Sequence, residues 1–206
     1  MTDKLSLYNG TLRKLGERKL ASLSEDRLPR RLLDDVWDDG AVDYCLGQGA
    51  WTFATRSQKL EASASIVPDF GFRYAFEKSA DWIITSAVCS NEYFRNGIQY
   101  SDEGGIIYSD YDEIYVKFVS NDSNYGGDYS LWSEYFIDYV CEYLASEISM
   151  ALRQKEYDPR KLEKARREAL NKDMKQKAPR IMQLGTFAQA RFNSGFKDRR
   201  TTITGQ

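Results

Sequence analysis

Apolar residues at the start of the chain recur at spacings of three and four. Leu5, Tyr8, Leu12 and Leu15 form one stripe closed by Gly16, which predicts a helix. A second stripe runs through Leu28, Leu32, Leu33, Val36, Trp37, Ala41, Tyr44 and Cys45. It predicts one longer helix capped by Ser24, with Pro29 near its first turn and Gly47 and Gly49 past its end. Trp51-Thr52-Phe53-Ala54 follows as a bulky wedge for both helices. From about Ser63 the period drops to two, as Phe72, Tyr74 and Phe76 alternate with Arg73, Ala75 and Glu77. Further strands are predicted at Trp82 to Val88, Ile98 to Tyr100, Ile106 to Tyr108 and Ile114 to Val119. Asp102-Glu103-Gly104-Gly105 and Ser109-Asp110-Tyr111-Asp112 mark turns between them.

The helical period returns at Leu131 and lasts to about Gln154, with Phe136, Tyr139, Val140, Tyr143, Leu144, Ile148 and Ala151 on a wide apolar face. Asp158-Pro159 then reads as a cap followed by proline in the first helical position, opening a basic helix that Pro179 interrupts. The expected fold class is therefore α+β, mainly α. An antiparallel helical bundle from residues 1–60 and 128–178 carries an inserted antiparallel β-meander over 61–127, and an extended C-terminal arm occupies 179–206. The short connections favour antiparallel over parallel strands.

Charge divides the chain unevenly. Residues 1–152 hold 14 Lys and Arg against 25 Asp and Glu, whereas residues 153–206 hold 15 against 6. Such an acidic body with a basic end expects an acidic partner for that end: nucleic acid, another protein, or the acidic face of a second copy. There is no histidine, which excludes Ser–His and Cys–His nucleophile pairs and the common Cys–His zinc sites within one chain. Cys45, Cys89 and Cys141 are odd in number, widely spaced and outside any CxxC motif, so reduced thiols in a protein made in the cytoplasm are expected. No apolar run approaches the roughly 18 to 20 residues of a membrane span, and the charged start does not resemble a signal peptide.

Three carboxylate groups raise the question of catalysis or metal binding. Asp34, Asp35, Asp38 and Asp39 form two acidic rows on one helix; a solvated face explains them without a cation or a glycosidase pair. Asp110, Asp112 and Glu113 lack the glycine and distal glutamate of an EF-hand and read as a hairpin turn, as does Asp102-Glu103. P-loop, GxGxxG and GxSxG motifs are absent from the sequence. No catalytic residue, metal site or cofactor is expected. The 14 Tyr, 10 Phe and 4 Trp exceed what one core of this size needs, which favours their use at protein interfaces. Trp37, Trp51, Phe53, Phe136 and Tyr143 are the residues expected to pack the core or the contacts of an assembly.

Four segments, in order, resemble the head–tail adaptor family of podovirus-like bacteriophages, the tail tubular protein A family. They are the opening helix Leu7 to Glu17, and Trp51-Thr52-Phe53-Ala54-Thr55-Arg56 with Leu60. The third is the passage from Ile106 through Ile114-Tyr115-Val116 to Trp132, Phe136 and Tyr143-Leu144-Ala145. The last is Ala165 to Asp173 with Gly185-Thr186-Phe187 and Ala190-Arg191. The chain departs from the family pattern at Ala80, where proline is usual, and at Phe187, where tryptophan is usual. The resemblance implies a structural virion protein of the tail or neck that is not an enzyme: a homo-oligomer, with a ring of about twelve copies below the portal. The helical part would form the ring wall, the β insertion would face the tail nozzle (tubular) protein, and phage DNA would pass through the channel. The C-terminal arm would dock on the portal protein through Phe187, Arg191, Phe192, Phe196, Arg199 and Arg200. No membrane partner is implied.

Two other readings remain open. A tail-associated polysaccharide or peptidoglycan hydrolase would need a carboxylate pair in a cleft, with Glu134 or Glu142 as acids. A nucleic-acid-binding protein would act through the basic helix from Arg160 to Lys177.

Overall fold

A computed structural model describes residues 3–69, 71–95 and 97–176. Helix α1 (Lys4–Leu15) starts where the Asp3 carboxylate accepts the Ser6 amide at 2.8 Å, and it ends at Gly16, whose φ of 71° suits a left-handed cap. The predicted second helix is two: α2 (Leu28–Asp38) and α3 (Ala41–Gly47). The break falls at Gly40, with φ of 90°, a conformation that stops the first helix and redirects the chain. Ser24 is not the cap; Arg27 holds that position without a side-chain bond, and Pro29 fits the opening turn.

Strand β1 (Thr55–Glu61) lies inside the stretch expected to be helical, where charged Arg56, Lys59 and Glu61 mask its alternation. Then come β2 (Tyr74–Glu77), β3 (Trp82–Cys89), β4 (Ser101–Glu103), β5 (Ile106–Ser109) and β6 (Glu113–Ser120). They form two antiparallel three-stranded sheets, ordered β1-β6-β3 and β2-β5-β4. This differs from a sequential meander, because β1 takes β6 as its partner. Among the described residues only β4 and β5 form a tight hairpin, turned by Gly104 and Gly105 at φ of 57° and 85°. Ser109 to Asp112, expected as a hairpin turn, instead carries the chain from one sheet to the other, and no strand starts at Ile98.

A 3₁₀ turn (Tyr129–Leu131) precedes α4 (Glu134–Arg153), capped by Ser133, whose hydroxyl accepts the Phe136 amide at 3.2 Å. Helix α5 (Pro159–Gln176) begins as expected after Asp158, whose carboxylate accepts the Arg160 amide at 3.0 Å. The molecule is thus a mixed α and β protein in which α4 packs on α1, α2, α3 and α5.

Apolar side chains gather in two clusters. The larger unites the helices around Leu7, Leu12, Leu33, Trp51, Phe136 and Leu144; the smaller fills the β region with Phe76, Ile107, Ile114, Val116 and Phe118. Strand β6 serves both, since its Val119 belongs to the helical cluster. The irregular register of β3 near Ile83 has the same effect: Trp82 stacks on Phe118 with centroids 3.8 Å apart, while the neighbouring Ile83 packs on the helical side.

Two polar locks hold this junction. Asp81 accepts from Arg56 at 2.8 Å and from the Ser120 hydroxyl, tying β1, β3 and β6 at one end. Burial works to raise the Asp81 pKa, but its hydrogen bonds from Ser120 and Arg56 outweigh that and hold it at about 2. Below β6, the loop after Ser120 folds back so that the Gly126 amide donates to the Ser120 carbonyl at 3.0 Å and the Gly126 carbonyl accepts Trp132 Nε1 at 2.8 Å. A Cβ on Gly126 would stand 2.3 Å from the Ser120 oxygen and 2.9 Å from Leu46 Cδ1.

Gly126→Ala should therefore destabilise the fold by about 1 to 3 kcal/mol, read as a lower urea midpoint with an unchanged slope. The Asp81 carboxyl, depressed in the fold, stabilises it above the ordinary aspartate range and loses that effect as pH falls from about 4 toward 2. The stability gap between wild type and Asp81→Asn, taken from urea midpoints, should be full at pH 7 and close across that acid window.

Candidate functional site

The aromatic residues expected to pack core or assembly contacts are built into one chain of rings. Trp37 meets Tyr8 and Tyr129 edge-on, each at 5.8 Å; Tyr129 meets Trp132 at 4.9 Å, and Trp132 meets Phe136 at 4.8 Å. Phe136 then contacts Trp51 at 4.7 Å and Phe53 at 4.9 Å. Trp51 is fully buried and its Nε1 donates to the carbonyls of Cys45 and Leu46, which orients the ring at the end of α3. Trp51 and Phe136 therefore lie in the interior, and Trp37 and Phe53 are partly buried against it. Tyr143 is likewise partly buried against the helical cluster, and it stacks on Tyr44 with centroids 4.7 Å apart, where Tyr44 is 51% exposed. The arm residues Phe187, Arg191, Phe192, Phe196, Arg199 and Arg200 lie outside the described residues.

Other large apolar side chains reach the surface on both halves of the fold. Tyr135, Leu131, Met150 and Met174 are exposed on or beside the helices; Val67, Tyr93, Tyr100 and Tyr111 are exposed in the β region. The tyrosines among them, Tyr93, Tyr100, Tyr111 and Tyr135, with Tyr44, are the surface fraction of the aromatic excess.

The carboxylates occupy structural positions. Asp34, grouped in the sequence with a solvated face, instead joins two helices: it accepts the Tyr8 hydroxyl at 2.8 Å, pairs with Arg30, and lies 3.4 Å from Lys4. Burial tends to raise its pKa, but hydrogen bonds from Tyr8 and Lys4 lower it below the usual carboxylate value. Asp35, Asp38 and Asp39 remain exposed on α2. Glu113 pairs with Lys59 at 2.6 Å, and Asp102 with Lys78 at 2.5 Å. Among the described residues no group of His, Cys, Asp or Glu is arranged to hold a metal ion, and the three cysteines are free and buried.

Glu142, one of the two acids a hydrolase would need, is 9% exposed and fully engaged. It pairs with Lys14 at 2.8 Å and accepts the Tyr157 hydroxyl, joining α1 and the α4–α5 connection to α4. Burial opposes the Lys14 charge, yet the hydrogen bonds to Asp138 and Glu142 raise its pKa. Glu134 sits in the first turn of α4, and neither acid lines the grooves at α5, at α1 or beside β4.

On basic α5, Arg167 bonds to Glu163 at 2.7 Å, and Lys172 lies 4.9 Å over the Tyr135 ring. Asp173 turns inward: its oxygens accept the Thr52 amide at 2.8 Å and the Thr52 hydroxyl at 3.0 Å. This contact, which pins α5 beside Trp51, was hidden in the sequence by a separation of 121 residues. No helix among the described residues is long and apolar enough to cross a membrane.

No family model matches this chain, and a search of curated proteins returns no significant match.

Glu142→Gln should destabilise the fold by about 1 to 3 kcal/mol, because Lys14 loses an ionised partner at a half-buried site. Urea unfolding checks this; an unchanged midpoint would free Glu142 for a chemical role.

Proposed function

We propose that the chain is a structural subunit of the adaptor ring that joins portal to tail in a tailed bacteriophage, with phage DNA passing through the channel. In this reading the helical part, assembled from both ends of the described chain, is the antiparallel bundle that builds the ring wall. The β insertion between them faces the tail nozzle, and the C-terminal arm from residue 179 meets the portal. The resemblance of four ordered segments motivates the proposal. The observation that carries it here is the division of the aromatic side chains. One set packs two internal cores, and a second set, Tyr44, Tyr93, Tyr100, Tyr111 and Tyr135, stands on the surface of both halves. A subunit that meets neighbours on several sides needs such anchors, since aromatic residues concentrate at protein contacts.

Glu142, one of the two acids a hydrolase would draw on, and Asp34 are engaged in holding helices together, which favours a binding role over chemistry. An acidic body also suits a DNA passage, because carboxylates repel phosphate and leave the duplex free to move.

Mass measured by light scattering, alone and after mixing with portal protein from the same phage, tests the proposal. A discrete many-subunit particle, alone or on the portal, is expected. A persistent monomer that ignores portal would overturn it.

A further inference from the structure

The grooves at α5 and beside β4 both contain acids: Glu163 and Glu168 in the first, Asp69 and Glu103 in the second. The groove on α1, of about 290 Å³, is lined by Ser6, Asn9, Gly10, Arg13 and Lys19 and by no acid. It lies in the part of the chain where 25 Asp and Glu outnumber 14 Lys and Arg. A basic hollow there is a local reversal of charge.

The sequence builds this hollow from one helix face and a returning segment. Ser6, Asn9, Gly10 and Arg13 recur at spacings of three and four, so they share a face of α1. After the Gly16 cap the chain turns back, and Asn9 holds it with both ends of its amide. Its Oδ1 accepts the Leu20 amide at 2.7 Å, and its Nδ2 donates to the Leu20 carbonyl at 3.1 Å. Arg27 donates to the carbonyls of Arg18 and Lys19, each at 3.4 Å. These bonds occupy the acceptors of the returning segment and set Lys19 beside Arg13.

The donors around the groove are left over. Lys4 is drawn to Asp34, and Lys14 to Asp138 and Glu142. Arg13 and Lys19 are exposed and have no acidic partner among the described residues. The Ser6 hydroxyl and the Lys19 amide likewise donate to no protein group among them. Asp3 and Glu17, the acids closest in sequence, do not line the groove, and Asp3 is engaged with the Ser6 amide.

We propose that the α1 groove binds a phosphate group. Two cations and a hydroxyl around one hollow suit a compact anion with several acceptor oxygens: the Arg13 fork can take two of them, and Lys19 adds a point charge. A single carboxylate would leave one of the two cations unmatched. The site stands apart from the ring reading, since it depends only on α1 and the segment that Asn9 holds.

The test follows the backbone amide NMR signals of the full chain as sodium phosphate is added at constant ionic strength, with chloride as the reference salt. In wild type the signals of Ser6, Arg13 and Lys19 should shift and saturate. Arg13→Ala combined with Lys19→Ala should weaken binding about tenfold or more. Ser6→Asp, which keeps both cations and adds a carboxylate beside them, should weaken it to the same degree. The spectrum of each variant reports directly whether it is folded.

A second arm distinguishes the source of the phosphate. A DNA duplex that moves the same signals at about tenfold lower concentration, and loses this in the double variant, assigns the groove to nucleic acid. Phosphate binding without that gain assigns it to the free ion. Shifts that never saturate, or that persist unchanged in both variants, overturn the site. The adaptor ring is judged by the portal experiment alone, and neither result decides the other.

Discussion

Burial of α4 is the constraint around which the remaining elements are arranged. Its apolar residues are not confined to one stripe: Phe136, Tyr139, Val140, Leu144, Ala145 and Ile148 are all buried, together with Cys141 and Ser149. A helix covered on several sides needs several partners, and α1, α2, α3 and α5 each supply one. Close approach is made possible by small residues. Gly10 lies where a Cβ would meet Cys141 Sγ at 2.8 Å, and Gly49 where one would meet Leu170 Cδ2 at 2.4 Å. Trp51 then packs beside Phe136 and Tyr139, and its indole nitrogen donates to the Cys45 and Leu46 carbonyls in the last turn of α3.

Local patterns in the sequence were sufficient for α1, α4 and the start of α5, because caps and apolar spacing act over a few residues. The same reasoning joined α2 to α3, since the apolar stripe runs on through Ala41 and Cys45 while the break depends on the single residue Gly40. It also hid β1, whose alternating positions hold Arg56, Gln58 and Leu60 against Ser57, Lys59 and Glu61 and therefore lack a clean apolar side. Strand partnership was least legible of all. The pairing of β1 with β6 joins residues more than fifty positions apart, and it rests on the Asp81–Arg56–Ser120 lock and on the position of Gly126, which become visible only in three dimensions. For the candidate site, the aromatic set was legible as bulky residues at helical spacing. Asp34 and Asp173 were not, because each carboxylate is defined by a partner on another element.

The distribution of polar groups favours a scaffold. Charged side chains within the fold connect elements in pairs: Lys14 with Glu142, Arg56 with Asp81, Lys78 with Asp102. Partly buried pairs of this kind add less to net stability than their geometry suggests, but loss of one partner is costly, so they restrict the ways the elements can be arranged. A subunit that must present fixed surfaces to neighbours benefits from that restriction.

The shared strand β6 has a mechanical consequence. It is hydrogen-bonded along its length to β1 on one side and to β3 on the other, while its side chains enter both apolar clusters. Tension applied along this strand would act in shear, so many hydrogen bonds would have to give way together instead of opening one after another. The helical half and the β half would thus be strained together by any load carried on β6, since that one strand contributes side chains to both clusters.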